Sequence, residues 1–380
     1  MKQLIRSDKF FLNNNDIYIL LLIVPVLTCI QFWYNIILHQ NIQIGAYFQL
    51  ILTFYLYFLI VKKKAFLVLS SLLTFLFLSF FYSAYTNTRI NENLSYLIVL
   101  HNIILLFLIL PSFSYKRVKL VELREFLVYF IIIFMIIFEI SSQFASKVII
   151  DEYYGIERNY KDGFVISHLA AYYFGVSAFF LWKFKKRWLS VILCMYILTL
   201  GARIGLVYIL IGIMVLFLYK VNRQLLNFIW KYRVLIFSSL SFTIFLLIAY
   251  SLSSSNMENL MVFTSGRSYF QANGILHILN DGISIDNLIG RGPKASNRLN
   301  EQFIGAPIWM HNDFLDIAFN LGVIGLLAYL ISTFNYFNNV KSLYLLIILF
   351  LTAFLNGFIT YDPLYILLLS DICFKKSFKV

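Results

Sequence analysis

An all-α, polytopic membrane protein of about twelve transmembrane helices is what this sequence predicts, and three observations predict it. Apolar residues make up 61% of the chain and charged residues only 13%, which leaves too little polar surface to cover a soluble globule. The apolar residues fall into runs of about twenty, the length an α-helix needs to cross hydrocarbon. These runs lack the alternation of a membrane barrel, and a helix satisfies its own backbone hydrogen bonds inside lipid.

The first run begins near Ile17 and follows Lys2, Arg6 and Lys9, as the core of a secretory leader would. It is too long for a leader and lacks a small-residue cleavage site, so it is expected to remain as an anchor. Further runs begin near Ile44, Ala65, Tyr96 and Phe126, then near Val165, Trp188 and Ile204. The series ends with runs near Val234, Phe314, Lys341 and Asn356, the last ones short. No soluble domain and no transporter-type repeat interrupts the series, so residues 1–380 read as a single integral membrane domain.

Basic residues concentrate in alternate connections: at the N-terminus, at Lys62 to Lys64, between Lys116 and Arg124, between Lys183 and Arg187, between Lys220 and Arg233, at Lys341, and after Asp371. The positive-inside rule makes that set cytoplasmic, with both termini inside. Nine basic residues remain for the outer side: Arg89, Lys147, Arg158, Lys161, Arg203, Arg267, Arg291, Lys294 and Arg298. Most of the 18 acidic residues fall there too, so the formal charge of +13 reports topology and gives no support to nucleic-acid binding.

Two outer connections are long, residues 141–164 and residues 252–312. Loops of that size beside a membrane are commonly functional, and both carry aromatics and helix signals in place of low-complexity sequence. The 3 cysteines, Cys29, Cys194 and Cys373, are scattered through or beside apolar runs and suggest neither a disulfide framework nor a metal site. There is no Gly-rich phosphate loop, His/Cys metal spacing or Gly-x-Ser-x-Gly elbow, so no metal or cofactor is expected.

Within the large loop, Thr264-Ser265-Gly266-Arg267-Ser268 has the composition of a helix start, followed by apolar Tyr269, Ala272, Leu276 and Leu279. That spacing predicts an amphipathic helix along the outer membrane surface. Arg267 would lie in its first turn, where a cation is unfavourable unless an anion shares the site. The alternative is a solvated arginine paired with lipid phosphate. Arg203, in the tight reversal Leu200-Gly201-Ala202-Arg203-Ile204-Gly205, sits at a depth where an ionisable group is costly and generally functional, or else snorkels to headgroups.

Trp309-Met310-His311-Asn312-Asp313 precedes the run from Phe314, with Asn312 or Asp313 as a candidate N-cap. The positive end of that helix would keep the His311 imidazole neutral and available as a base. A lone histidine is more often structural than catalytic, and the neighbouring arginines tip the balance. Asp313 and Asp316 share a helix face, placed either to orient His311 or to face water at the boundary. Gly290-Arg291-Gly292-Pro293-Lys294 reads as a turn exposing backbone and basic groups, or simply as a solvated turn. In the first long loop, Arg158 and Lys161 stand among carboxylates and Tyr153, Tyr154 and Tyr160. Such a mixture suits a sugar, and equally an interfacial aromatic belt.

Taken in order, several of these features resemble the bacterial O-antigen polymerase and O-antigen ligase superfamily. They are Arg158-x-x-x-x-Gly163, Gly201-Ala202-Arg203, Ser265-Gly266-Arg267-Ser268, Gly290-x-Gly292, His311-Asn312-Asp313 and Gly322-x-x-Gly325. The likeness covers the segment from Arg158 to Leu330, and one departure is His168, where many relatives place Asn. It implies an inverting, metal-independent glycosyltransferase of GT-C-like helical architecture in the bacterial cytoplasmic membrane, acting at the outer face on undecaprenyl-diphosphate-linked oligosaccharide. On that resemblance Arg203 and Arg267 would hold the diphosphate, and His311 would take the proton of the acceptor hydroxyl. Arg158, Lys161 and Arg291 would contact glycan or diphosphate, with Lys294, Asp313 and Asp316 as further substrate-binding candidates.

A polymerase building O-antigen, capsule or exopolysaccharide is the leading expectation, with a chain-length-regulating co-polymerase as a candidate partner. A ligase transferring glycan to lipid A core uses the same donor chemistry. A transporter or flippase would instead place ionisable residues near midplane in paired broken helices. A scaffold without chemistry would leave Arg203, Arg267 and His311 far apart.

Overall fold

A computed structural model describes residues 10–38, 51, 55, 74, 77–78, 80–86, 90–145, 161–202, 204–233, 235–236, 239, 243, 267–304, 309–339, 343–355 and 363–377. Helix accounts for 84% of this structure, in agreement with an all-α reading. Most of the runs predicted from Ile44 and Ala65, and the starts of those from Val234, Lys341 and Asn356, lie outside the described residues.

Helix α1, Asn14–Leu38, starts on a reciprocal cap: Asp16 N–H donates to Asn13 Oδ1 at 3.0 Å and Asn13 N–H donates to Asp16 Oδ2 at 2.9 Å. Helix α2, Ile90–Ile109, ends where Pro111 removes an N–H and forces the chain out of α geometry. The extended residues beyond it produce what periodicity does not announce, a two-residue parallel bridge pairing Phe10 with Phe113 and Phe11 with Ser114. Helix α3, Leu120–Ser142, buries Leu123, Leu127, Phe130, Phe134 and Phe138 at helical spacing and turns Tyr129, Ile133 and Ile136 outward.

Helix α4, Ser167–Lys183, is the centre of the molecule, buried from Ala170 to Leu181. It is followed by α5, Arg187–Thr199, α6, Ile204–Val221, and α7, Arg223–Lys231. Helices α4 and α6 cross backbone to backbone: a Cβ on Gly175 would stand 2.4 Å from the Gly205 carbonyl oxygen, and one on Gly205 2.3 Å from that of Ala171. Small residues at such crossings let dispersion do what hydrophobic exclusion cannot do within lipid. Around α4 the core is aromatic, with Tyr172 stacked on Tyr208 at 5.2 Å and Tyr173 4.4 Å from Tyr365.

The next described segment folds as α8, Arg267–Asn280, a short α9, Ile285–Ile289, and α10, Ala295–Ile304. The chain continues with α11, Asp313–Asn339, α12, Leu343–Leu355, and α13, Pro363–Ser377. Helix α11 is interrupted at Gly322, whose φ of 66° and ψ of −169° are non-helical. Asn14–Leu38 and Asp313–Tyr336 are long and apolar enough to cross a membrane, and Tyr96–Ile109, Arg187–Thr199 and Ile204–Leu218 are shorter apolar helices. The described residues are compatible with a helical membrane protein and do not reach a count of twelve spans.

Candidate functional site

His311 lies in the link before α11 with a left-handed backbone, φ 55°. That conformation costs a residue with a Cβ on the order of 1–2 kcal/mol, so its neighbours must hold it. On one side Asn312 caps α11: its Oδ1 accepts from the N–H groups of Phe314 at 3.0 Å and Leu315 at 3.2 Å, and its carbonyl accepts from Asp316 N–H at 2.8 Å. On the other side Met310 is fully buried against Gly274 of α8, where an added Cβ would come within 2.5 Å of its thioether. The Trp309 ring lies 4.7 Å from the imidazole and the Phe270 ring 6.1 Å from it.

Nδ1 of His311 is enclosed and has no hydrogen-bond partner among the described residues. Burial pushes the imidazole well below the usual histidine range, and the Arg267 charge and then His168 push it the same way. Arg267 and His168 are therefore electrostatic neighbours of His311, although α8, α4 and the link are far apart in sequence. Arg267 is the first residue of α8 and half-buried.

His168 stands in the first turn of α4, which begins where the Asp162 carboxylate accepts from Ser167 N–H at 2.6 Å. The segment leading into α4 is stitched to the tight reversal before α6, because Lys161 N–H donates to the Leu200 carbonyl at 3.2 Å. Arg203 follows that reversal and, like Arg158, Tyr153, Tyr154 and Tyr160, lies outside the described residues; so do Thr264, Ser265 and Gly266.

The remaining predicted residues are spoken for in other ways. Lys161 forms an ion pair with Glu139 at 2.5 Å, and Glu139 also accepts from Tyr196 OH at 2.7 Å. Arg291 pairs with Asp281, donates to Asn287 Oδ1 at 2.8 Å and lies 4.4 Å from the Phe319 ring centre. Its Nη1 is enclosed without a partner among the described residues. Lys294, left-handed at φ 60°, closes the turn, and its carbonyl accepts from Arg298 N–H at 3.2 Å.

Asp313 and Asp316 do not face water: both are buried. Asp313 accepts from Tyr329 OH at 3.5 Å. Asp316 accepts from Ser296 Oγ at 2.5 Å, Asn320 Nδ2 at 3.0 Å and Tyr96 OH at 3.1 Å. Four polar residues thus meet inside an apolar protein because each satisfies another, the only inexpensive way to bury them.

The turn from Gly290 to Lys294 fills the break in α11. Interrupting the helix at Gly322 frees carbonyls one turn earlier, and Arg291 N–H donates to Phe319 O at 3.2 Å while Gly292 N–H donates to Asn320 O at 2.9 Å. A Cβ on Gly290 would stand 2.2 Å from Asn320 O, so only glycine fits. Tyr82 OH, from a helical stretch over residues 80–86, donates to Ile289 O, and Tyr85 OH donates to Asp286 Oδ1 at 2.6 Å.

Charge and helix caps pointed in advance to His311 and Arg267. Ser296, Asn320 and Tyr96 escaped notice because neutral hydroxyls and amides do not stand out in apolar sequence. The available signal was Asn320 four residues after Asp316, on the same helix face. Among the described residues no group of three or more His, Cys, Asp or Glu side chains is placed to share a metal ion. No family model, curated protein or solved structure matches the chain.

Proposed function

We propose that the protein is a membrane glycosyltransferase that polymerises undecaprenyl-diphosphate-linked glycan at the outer face of the bacterial cytoplasmic membrane. The observation that carries this reading is the environment of His311. An imidazole held neutral, its Nδ1 without a hydrogen-bond partner among the described residues and an arginine charge beside it, suits proton removal next to an anionic leaving group. The ordered resemblance from Arg158 to Leu330 supports the same chemistry, with a GT-C-like arrangement of about twelve spans and both termini cytoplasmic.

In the proposed step the acceptor hydroxyl of a lipid-linked repeat unit gives its proton to the His311 imidazole. Its oxygen attacks the anomeric carbon of the donor as the bond to the diphosphate breaks, with inversion. The electron pair leaves on the diphosphate, whose charge Arg267 and Arg203 offset. Positioned bases contribute roughly 10²–10⁴-fold and charge-stabilising donors roughly 10²–10³-fold.

Purified protein incubated with a lipid-diphosphate repeat unit should therefore elongate it. His311→Ala and Arg267→Ala should each lower the rate by about 10²-fold or more. Full elongation by both variants, in folded protein, contradicts these roles.

A further inference from the structure

We infer that Gln271 binds the first sugar of the donor glycan, the ring joined to the diphosphate, through hydrogen bonds of its side-chain amide; this deepens the glycosyl-transfer reading above and rests on it. Helix α8 has two unlike faces. On one, Leu276 and Leu279 stand 42% and 61% exposed, as suits contact with lipid. The other carries Arg267, Phe270, Gln271 and Gly274, spaced i, i+3, i+4 and i+7. This second face is turned to the link that bears His311: the Phe270 ring lies 6.1 Å from the imidazole, and a Cβ on Gly274 would come within 2.5 Å of the Met310 thioether. Gln271 sits between these contacts, about one turn after Arg267.

Gln271 is only 6% exposed, yet its amide makes no hydrogen bond among the described residues. Burying an amide without a partner is costly, so such a group in a folded protein calls for a reason. Its polar atoms are not among those sealed in without a partner, as His311 Nδ1 and Asn273 Nδ2 are, so the small exposed fraction takes in the amide. An amide donates through its NH₂ and accepts through its carbonyl. A sugar hydroxyl, which also does both, matches it; a phosphate oxygen only accepts and is met better by the Arg267 guanidinium. One helical turn is about 5.4 Å, which lets a sugar ring reach Gln271 while the phosphate attached to it stays at Arg267.

Gln271→Met keeps the length of the side chain and removes both of its hydrogen-bonding groups. For the purified variant in detergent, affinity for the lipid-diphosphate repeat unit should fall about fivefold to tenfold, the loss of one neutral hydrogen bond or two. Its affinity for undecaprenyl diphosphate, which has no sugar, should stay that of the wild type. Arg267→Ala, by contrast, should weaken both lipids. An equal loss for the two lipids in Gln271→Met, or no loss for either, overturns the inference. In elongation, kcat/KM for the repeat unit should fall by the same factor through KM, because a contact made in ground and transition states alike acts on binding; a loss confined to kcat speaks against a binding contact and overturns it too.

Thermal unfolding of the ligand-free protein adds a readout that a structural amide would move the other way. Removing an amide that no protein group satisfies should leave the melting temperature unchanged or raise it, in Gln271→Met and in the second variant Gln271→Leu. A lower value in both marks the side chain as structural and overturns the inference. Where Gln271→Met alone fails to fold, Gln271→Leu carries the binding comparison with the same expected losses. Binding by the wild type separates this inference from the function on which it rests. Wild type that binds neither lipid and elongates nothing rejects glycosyl transfer, and the sugar contact with it. Wild type that binds both lipids, with both variants indistinguishable from it, rejects the sugar contact and leaves glycosyl transfer standing.

Discussion

A histidine enclosed beside an arginine gives up its proton more readily than one in water, and this sets the pH behaviour expected of His311. Its pKa is lowered in the folded protein, so the unfolded chain binds the extra proton first as pH falls. The neutral ring therefore contributes stability that is present above the ordinary histidine value of about 6.5 and is lost as pH drops below it. For catalysis the same shift keeps the base unprotonated, so the acidic limb of kcat/KM should stay flat through that value and fall only well below it. A limb that breaks near pH 6.5 and disappears in Arg267→Ala would contradict a depressed base. His311 and Arg267 were legible in sequence because charges are conspicuous in so apolar a chain. The partners of Asp316 were not, since Ser296, Asn320 and Tyr96 acquire meaning only when a buried carboxylate needs donors.

Glycines at two positions decide whether α9 and the turn after it can dock on α11. Gly290, at φ 90°, and Gly322, at φ 66°, combine a left-handed backbone with closest approaches for an added Cβ of 2.2 and 2.4 Å. Gly282 has φ 57° and nothing within 4 Å, so it separates strain from collision. Gly282→Ala should cost about 1 kcal/mol, the backbone penalty alone, whereas Gly290→Ala and Gly322→Ala should cost several kcal/mol or abolish folding, as thermal unfolding in detergent will read. Equal melting shifts for all three would refute the docking of the 290–294 turn into the α11 break. Helix starts were readable: runs expected near Ile17, Ile204 and Phe314 begin at Asn14, Ile204 and Asp313. The break at Gly322 and the bridge between Phe10 and Phe113 were not, because both depend on which distant backbone groups arrive to bond them.

The outward faces of the helices match the composition of the whole: Tyr129, Leu210, Phe217 and Ile331 are each more than 60% exposed, as suits a molecule surrounded by hydrocarbon. Charge asymmetry gives the proposed orientation, and it predicts which thiols a membrane-impermeant maleimide reaches in intact cells. A cysteine at Ile283, fully exposed after α8, should label from outside, and one at Val221, beside Lys220, only after permeabilisation. The reverse pattern would invert the topology and put His311 in the cytoplasm. The central claim is that Arg203, Arg267 and His311, distant in sequence, serve one site. Its most direct measurement is cross-linking of cysteines placed at 203 and 267, with Cys29, Cys194 and Cys373 replaced by Ser, by a short bis-maleimide and mass spectrometry. The account predicts an intramolecular 203–267 link; two thiols that each react singly in folded protein yet never join would contradict it.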